Sequence, residues 1–226
     1  MIFRTLLAAL LFYATLDGEL RAETVEGVLA RMDKNAASFK SMTAKVKRVA
    51  HVAVINEDNT DLGTMRLKRS KKDVHLVVDL TEPDAKSVAF QGNKVEIYYP
   101  KLLRVEEYEV GKNRELFEQF FLVGFGTPAK DLNSDYAIRM IGGEDVGGQP
   151  ATHIELTPKS KQVLQHIKRM DLWISNASGY PVRQKLDQSG GEYMLVTYSE
   201  LVINAPLSDA AVRLNVPKGV QRVNSK

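Results

Sequence analysis

The sequence predicts a β-dominated α+β fold built on an antiparallel sheet, and three observations lead there. Apolar and polar residues alternate with a period of two through much of residues 62–109, the pattern of strands that bury one face and wet the other. Turn-forming groups punctuate that stretch at short intervals: Ser70-Lys71-Lys72-Asp73, Thr81-Glu82-Pro83-Asp84 and Gln91-Gly92-Asn93-Lys94, in the last of which Gly and Asn tolerate positive φ. Only two longer stretches, 24–40 and 111–121, read as helices. Strands in succession with few helices, and no repeat or linker, point to one domain over residues 23–226.

The chain opens with a basic start, Met1-Ile2-Phe3-Arg4, an apolar run over 5–16 and a polar stretch that ends in the small residue Ala22. This is the three-part plan of a secretory signal peptide over residues 1–22. The run falls short of the ~20 apolar residues that span a bilayer as a helix. Cleavage after Ala22 is expected, with retention as an anchor as the alternative, because Leu20 is an unusual residue two positions before the cut. The net charge of +3 is unchanged by cleavage, since Arg4 and Arg21 leave with Asp17 and Glu19.

Thr24 caps a helix whose stripe of Val25, Val28, Leu29, Met32, Ala36 and Phe39 packs on the sheet. A long strand follows over 41–56, and the acidic run 57–61 reads as the turn into the central meander. Met65 and Leu67, then Val74, Leu76, Val78 and Leu80, then Phe90, then Val95, Ile97 and Tyr99 keep the alternation, and Leu103 and Val105 open the next strand. Alternation thus assigns Leu67, Leu76, Val78, Phe90, Ile97, Leu103 and Val105 to one apolar face. In the 111–121 helix, Leu116, Phe117, Phe120 and Phe121 crowd one side. Glycines flank the segment, so it reads either as core packing or as a movable lid. Strands at 136–141 and 151–157 enclose the glycine-rich loop 142–148, and a helical turn at 159–165 precedes strands at 170–175, 182–188 and 193–204. A last short strand closes the tail, for about ten in all.

The residue inventory excludes much chemistry. There are no cysteines, which removes structural disulfides, thiolate catalysis and Cys-bound zinc. His51, His75, His153 and His166 are scattered, without metal-ligand spacing. Glu106, Glu107 and Glu109 sit on one strand and split between its faces, so they form no ready acid–base pair. The 142–148 glycines lack the Lys-Ser/Thr of a phosphate loop, and no nucleophile elbow occurs. The net charge is too small and dispersed for nucleic acid, and the clusters Lys45, Lys47, Arg48 and Arg66, Lys68, Arg69, Lys71, Lys72 suit sheet edges and a soluble outer face. No catalysis, metal or cofactor is indicated. A wide apolar sheet face with two apolar helices points instead to the containment of something greasy.

The order of motifs resembles the periplasmic outer-membrane lipoprotein carriers, the LolA-like proteins. The matching pieces are the helix 25–39 leading into Ser41-Met42-Thr43-Ala44, residues 63–69, Thr81-Glu82-Pro83-Asp84, residues 90–100, Leu156-Thr157-Pro158-Lys159, Leu172-Trp173-Ile174, Gly179-Tyr180-Pro181 and Val216-Pro217-Lys218-Gly219-Val220. Together they span nearly the whole mature chain. The resemblance implies an incomplete antiparallel β-barrel, a highly curved sheet, with helices as a lid over an apolar cavity. It implies no enzyme activity and no cofactor. The cargo would be lipoprotein acyl chains or another lipid, exchanged in the periplasm between an inner-membrane releasing complex and an outer-membrane acceptor, by a monomer. It makes Leu67, Leu76, Val78, Phe90, Ile97, Leu103, Val105, Phe117, Phe120 and Phe121 candidate lining residues. Lys68-Arg69 matches the family's Lys-Arg-Pro, with Ser70 in place of proline, and Arg69 would latch the lid. The lipid-anchored receptor on this fold is excluded by the missing cysteine. A periplasmic sensor or regulatory binding module on the same fold is the alternative function.

Overall fold

A computed structural model of the protein describes residues 23–70, 73–111, 114 and 121–225. Helix α1 (Val25–Ala36) begins where the Thr24 hydroxyl accepts from the Gly27 amide at 3.2 Å, satisfying one of the free N–H groups of the first turn. Its stripe of Val28, Leu29, Met32 and Ala36 is buried. The chain then runs as β1 (Ser41–Val52), β2 (Glu57–Arg69), β3 (Val74–Glu82), β4 (Lys86–Gln91), β5 (Lys94–Tyr99) and β6 (Arg104–Glu109). After the short helix α2 (Ala129–Asp135) come β7 (Tyr136–Val146), β8 (Gln149–Pro158), β9 (Ile167–Ser175), β10 (Pro181–Gln188), β11 (Tyr193–Ile203) and β12 (Gln221–Ser225).

All twelve strands belong to one curved, open sheet in the order β12-β6-β5-β4-β3-β2-β1-β11-β10-β9-β8-β7. Two antiparallel meanders, β1 to β6 and β7 to β11, join where β1 pairs with β11. The sole parallel partner among the described strands is β12, which lies along β6 and covers what would be a bare edge. Arg222 of β12 donates to Glu96 of β5 and Glu107 of β6, each at 2.6 Å.

Two apolar clusters divide the concave face. Under α1 and α2, Val28, Leu29 and Met32 pack with Leu132 and with Ile154, Leu172 and Ile174 of β8 and β9. Toward the first meander, Phe39, Met42, Leu67, Phe90, Phe125 and Tyr198 form the second. The half of the sheet under the helices is thus filled with side chains.

The β-dominated α+β class and the curved antiparallel sheet are as the alternation predicts, with departures in the boundaries. Residues 57–61 are strand, not turn. The turn is 53–56, with Asn56 at φ 52, and the acidic run stays in the ladder because β1 supplies partners for it: His51 Nδ1 lies 2.8 Å from Asp58 Oδ1, and Arg48 pairs with Asp61. The glycine-rich 142–148 is mostly strand too. Only Gly147 and Gly148 turn the chain, while Gly142 sits at a register shift inside β7.

Candidate ligand cavity

Register decides which side chains meet on the concave face, because directly paired residues in an antiparallel ladder point the same way. Met65 of β2 pairs with Val78, Val78 with Val88, and Val88 with Ile97. The next row is Leu67, Leu76, Phe90 and Val95. Over these rows lies a cavity of about 430 Å³, within the ~300–1,000 Å³ span of small-ligand sites. Its lining includes Leu76, Val78, Phe90, Ile97 and Phe121 from the residues expected on sequence. The Phe121 ring meets that of Phe90 nearly edge-on at 5.4 Å.

The other expected lining residues are not on this wall. Leu67 is on the right face but fully buried in the core cluster with Phe39 and Phe125. Leu103 is not in a strand. It caps the 3₁₀ turn Pro100–Leu102 in the left-handed region at φ 46 and is 57% exposed. That turn shifts the parity of the next strand, since Tyr99 pairs with Arg104 and Ile97 with Glu106. Val105 therefore shares the opposite face with Tyr98, buried there, while Arg104, Glu106 and Tyr108 take the cavity side. Phe117 and Phe120 lie outside the described residues.

Sequence reasoning missed the far wall. Gln184 of β10 and Met194, Val196 and Tyr198 of β11 line the cavity, as do Val46 and Arg48 of β1. Their alternation is visible in the sequence; the closure of β11 onto β1, which sets them opposite the first meander, is not.

Phe121 lines the cavity, and the segment that follows it, 122–126, is held at two carbonyls. Gln184 Nε2 donates to the Val123 carbonyl at 2.7 Å in a buried bond, and the Tyr198 hydroxyl donates to Gln184 Oε1. Burial pushes the Tyr198 hydroxyl well above its ordinary pKa, so it stays a donor. At the other end Arg69 Nη1 donates to the Gly126 carbonyl at 2.9 Å. Between them Phe125, 1% exposed, meets the Tyr198 ring edge-on at 5.4 Å and Phe39 at 5.9 Å.

Polar groups gather at the end of the cavity nearest the 53–56, 83–85 and 100–103 turns. Asp61, buried, pairs with Arg48 and with Lys86 Nζ at 3.3 Å. Beside them Arg104 Nη2 and the Tyr108 hydroxyl reach Glu106 at 2.5 and 2.9 Å. Burial, with the Glu106 charge, raises the pKa of the Tyr99 hydroxyl. Among the described residues no group of three or more His, Asp or Glu side chains is placed to hold a metal, and no helix is long and apolar enough to cross a membrane.

No family model and no curated protein matches the chain. Solved structures do. An uncharacterized conserved protein from Thermus thermophilus superposes with a TM-score of 0.55 at 15% identity, over 90% of this chain and 100% of the other. The Mycobacterium tuberculosis lipoprotein LppX reaches 0.49 at 17% identity, over 82% and 99% of the two chains. A LolA superfamily protein from Nitrosomonas europaea reaches 0.39 at 14% identity, over 85% and 99%. The likeness is one of fold alone: a curved, open antiparallel sheet with helices packed against one face.

Proposed function

We propose that this protein is a periplasmic carrier that shelters an acyl chain of a lipoprotein, or another lipid, in the 430 Å³ cavity and shuttles it toward the outer membrane. The observation that carries the reading is that cavity: walls of aliphatic and aromatic side chains, with the segment after the lining residue Phe121 tied to the sheet by Gln184 and Arg69. An apolar chain transferred there from water gains ~0.8 kcal/mol per buried methylene, before the costs of association. The reading assigns no reaction and no cofactor. It takes residues 1–22, outside the described residues, as the export signal, and a monomer that meets an inner-membrane releasing complex and an outer-membrane acceptor. Titration of the purified mature protein with a fluorescent fatty-acyl probe tests it, together with native mass spectrometry of protein taken from its own periplasm. Saturable binding and a co-purifying lipid mass are expected. No probe binding and a bare protein mass would overturn it.

A second reading, a sensor or regulatory module that grips a lipid or protein partner, draws support from the other half of the concave face. There α1 and α2 fill the space with side chains, as in a rigid domain core. Transfer separates the two: a carrier delivers bound probe to acceptor vesicles, whereas a regulatory module retains it.

A further inference from the structure

The polar end of the cavity is not electrically balanced. Arg48 and Lys86 both bond the one buried carboxylate of Asp61, and both also line the cavity. One carboxylate cannot neutralise two cations, so the three residues carry a formal charge of +1. The other carboxylates nearby supply no surplus: Arg104 engages Glu106, and Lys101 engages Asp84, whose charge also acts on Lys86. The two cationic side chains are about a third exposed, 32% and 30%, which places them at a wet margin of an otherwise apolar space. Val46, Leu80 and Tyr99 line the same cavity. With one carboxylate shared between them, a guanidinium and an ammonium keep donor capacity, and an arriving anion would gain charge-assisted hydrogen bonds from both at once.

We propose that the cavity takes an anionic amphiphile, its charged head against Arg48 and Lys86 and its apolar chain along Val78, Val88 and Ile97. This rests on the cavity reading above and narrows it to a ligand class. The cavity volume, toward the lower end of the range for small-molecule sites, suits one slender molecule rather than a large assembly. The head is an anion attached to the chain, not a free ion: the apolar walls supply most of the contact, and the cations select.

The test uses the mature protein and a matched pair of probes, a fluorescent fatty acid and its methyl ester, with inorganic phosphate as competitor. The acid should bind about tenfold or more tightly than the ester, the scale of one charged hydrogen bond. Lys86→Gln should abolish that preference. Asp61→Asn, nearly the same shape, should widen it by releasing both cations toward the ligand, so the two variants move in opposite directions. Phosphate at millimolar concentration should displace neither probe. Equal binding of acid and ester by the wild type would overturn the proposal while leaving the cavity reading intact. Displacement of the acid but not the ester by phosphate would make this a free-anion site and overturn the amphiphile. Binding of neither probe would sink both readings. Should Lys86→Gln fail to fold by circular dichroism, the wild-type comparison and Asp61→Asn still decide.

Discussion

Arg69 at the end of β2 reaches across 57 residues of sequence to donate a hydrogen bond to the carbonyl of Gly126, at 2.9 Å. Its own backbone amide is anchored to the Lys40 carbonyl at 2.8 Å, so the guanidinium projects from a fixed base. The side chain thereby joins the first meander to the segment 122–126, which follows the cavity-lining Phe121. Gly126 is suited to the contact because a Cβ there would lie 2.9 Å from Arg69 Nη1 and 3.1 Å from the Phe39 ring.

Loss of this bond should loosen the segment 122–126. Arg69→Leu is expected to shift the open–closed balance by about 1.5–3 kcal/mol, the scale of a hydrogen bond to a charged group. Amide exchange at 122–126 should speed up by one to two orders of magnitude, roughly the same free energy, and probe exchange should change with it. Unaltered exchange at those amides would show that Arg69 does not hold this segment.

The same segment should also be sensitive to added bulk at Gly124. Gly124 has φ +83, and a Cβ there would stand 2.4 Å from Pro181 Cγ, a ring that cannot swing away. Gly124→Ala is expected to cost about 2–4 kcal/mol through strain and overpacking together. Gly143, in β7 with nothing within 4 Å of its would-be Cβ, should accept alanine within about 0.5 kcal/mol. Paired chemical denaturation curves check both, and equal losses would refute the steric account.

Core and cavity wall should respond differently to truncation. Leu67, fully buried in the packed cluster, should lose about 2–5 kcal/mol on Leu67→Ala. Leu76 borders space that is already open, so Leu76→Ala should lose less. Filling is the damaging change there: Val78→Trp should leave folding nearly intact and weaken acyl-probe binding. A large stability loss in Val78→Trp, with no probe binding to the wild type, would mean a packed interior.

Acid should release the C-terminal strand. The Arg222 hydrogen bond holds the Glu107 carboxyl below its ordinary value of 4.5, against the opposing effect of burial. A carboxyl lowered in the folded state contributes stability that is present above its unfolded value and lost as pH falls through the folded one. The clip between β12 and β6 should therefore weaken below about pH 4.5, and Glu107→Gln should flatten that part of the stability–pH curve. Amide exchange of 221–225 against pH reads it directly. An acid profile unchanged by Glu107→Gln would remove the clip from the account.

Much of the sheet was legible in the chain. Strand alternation is a local signal of period two, and it located Leu76, Val78, Phe90 and Ile97 on one face because each short turn between them preserves the hydrophobic pattern. It failed at β6 for a local reason with a nonlocal effect: Leu103 enters a left-handed turn, the pairing becomes Tyr99 with Arg104, and every later side chain on that strand changes face. It failed at 57–61 because acidic residues resemble a turn until their cationic partners are known, and those partners, Arg48 and His51, sit on the other strand.

The sequence by itself determined the fold class, the helix stripe and the apolar character of the meander, since these follow from side-chain periodicity and turn chemistry within short windows. Only the tertiary structure decided where the cavity lies and what else faces it. Its far wall comes from Gln184, Met194, Val196 and Tyr198, brought beside β1 by a pairing some 150 residues apart, as with Val46 and Tyr198. Its polar end joins residues 48, 61 and 86 across three strands. No short window contains such contacts, because sheet closure sets them and not the preference of any one segment.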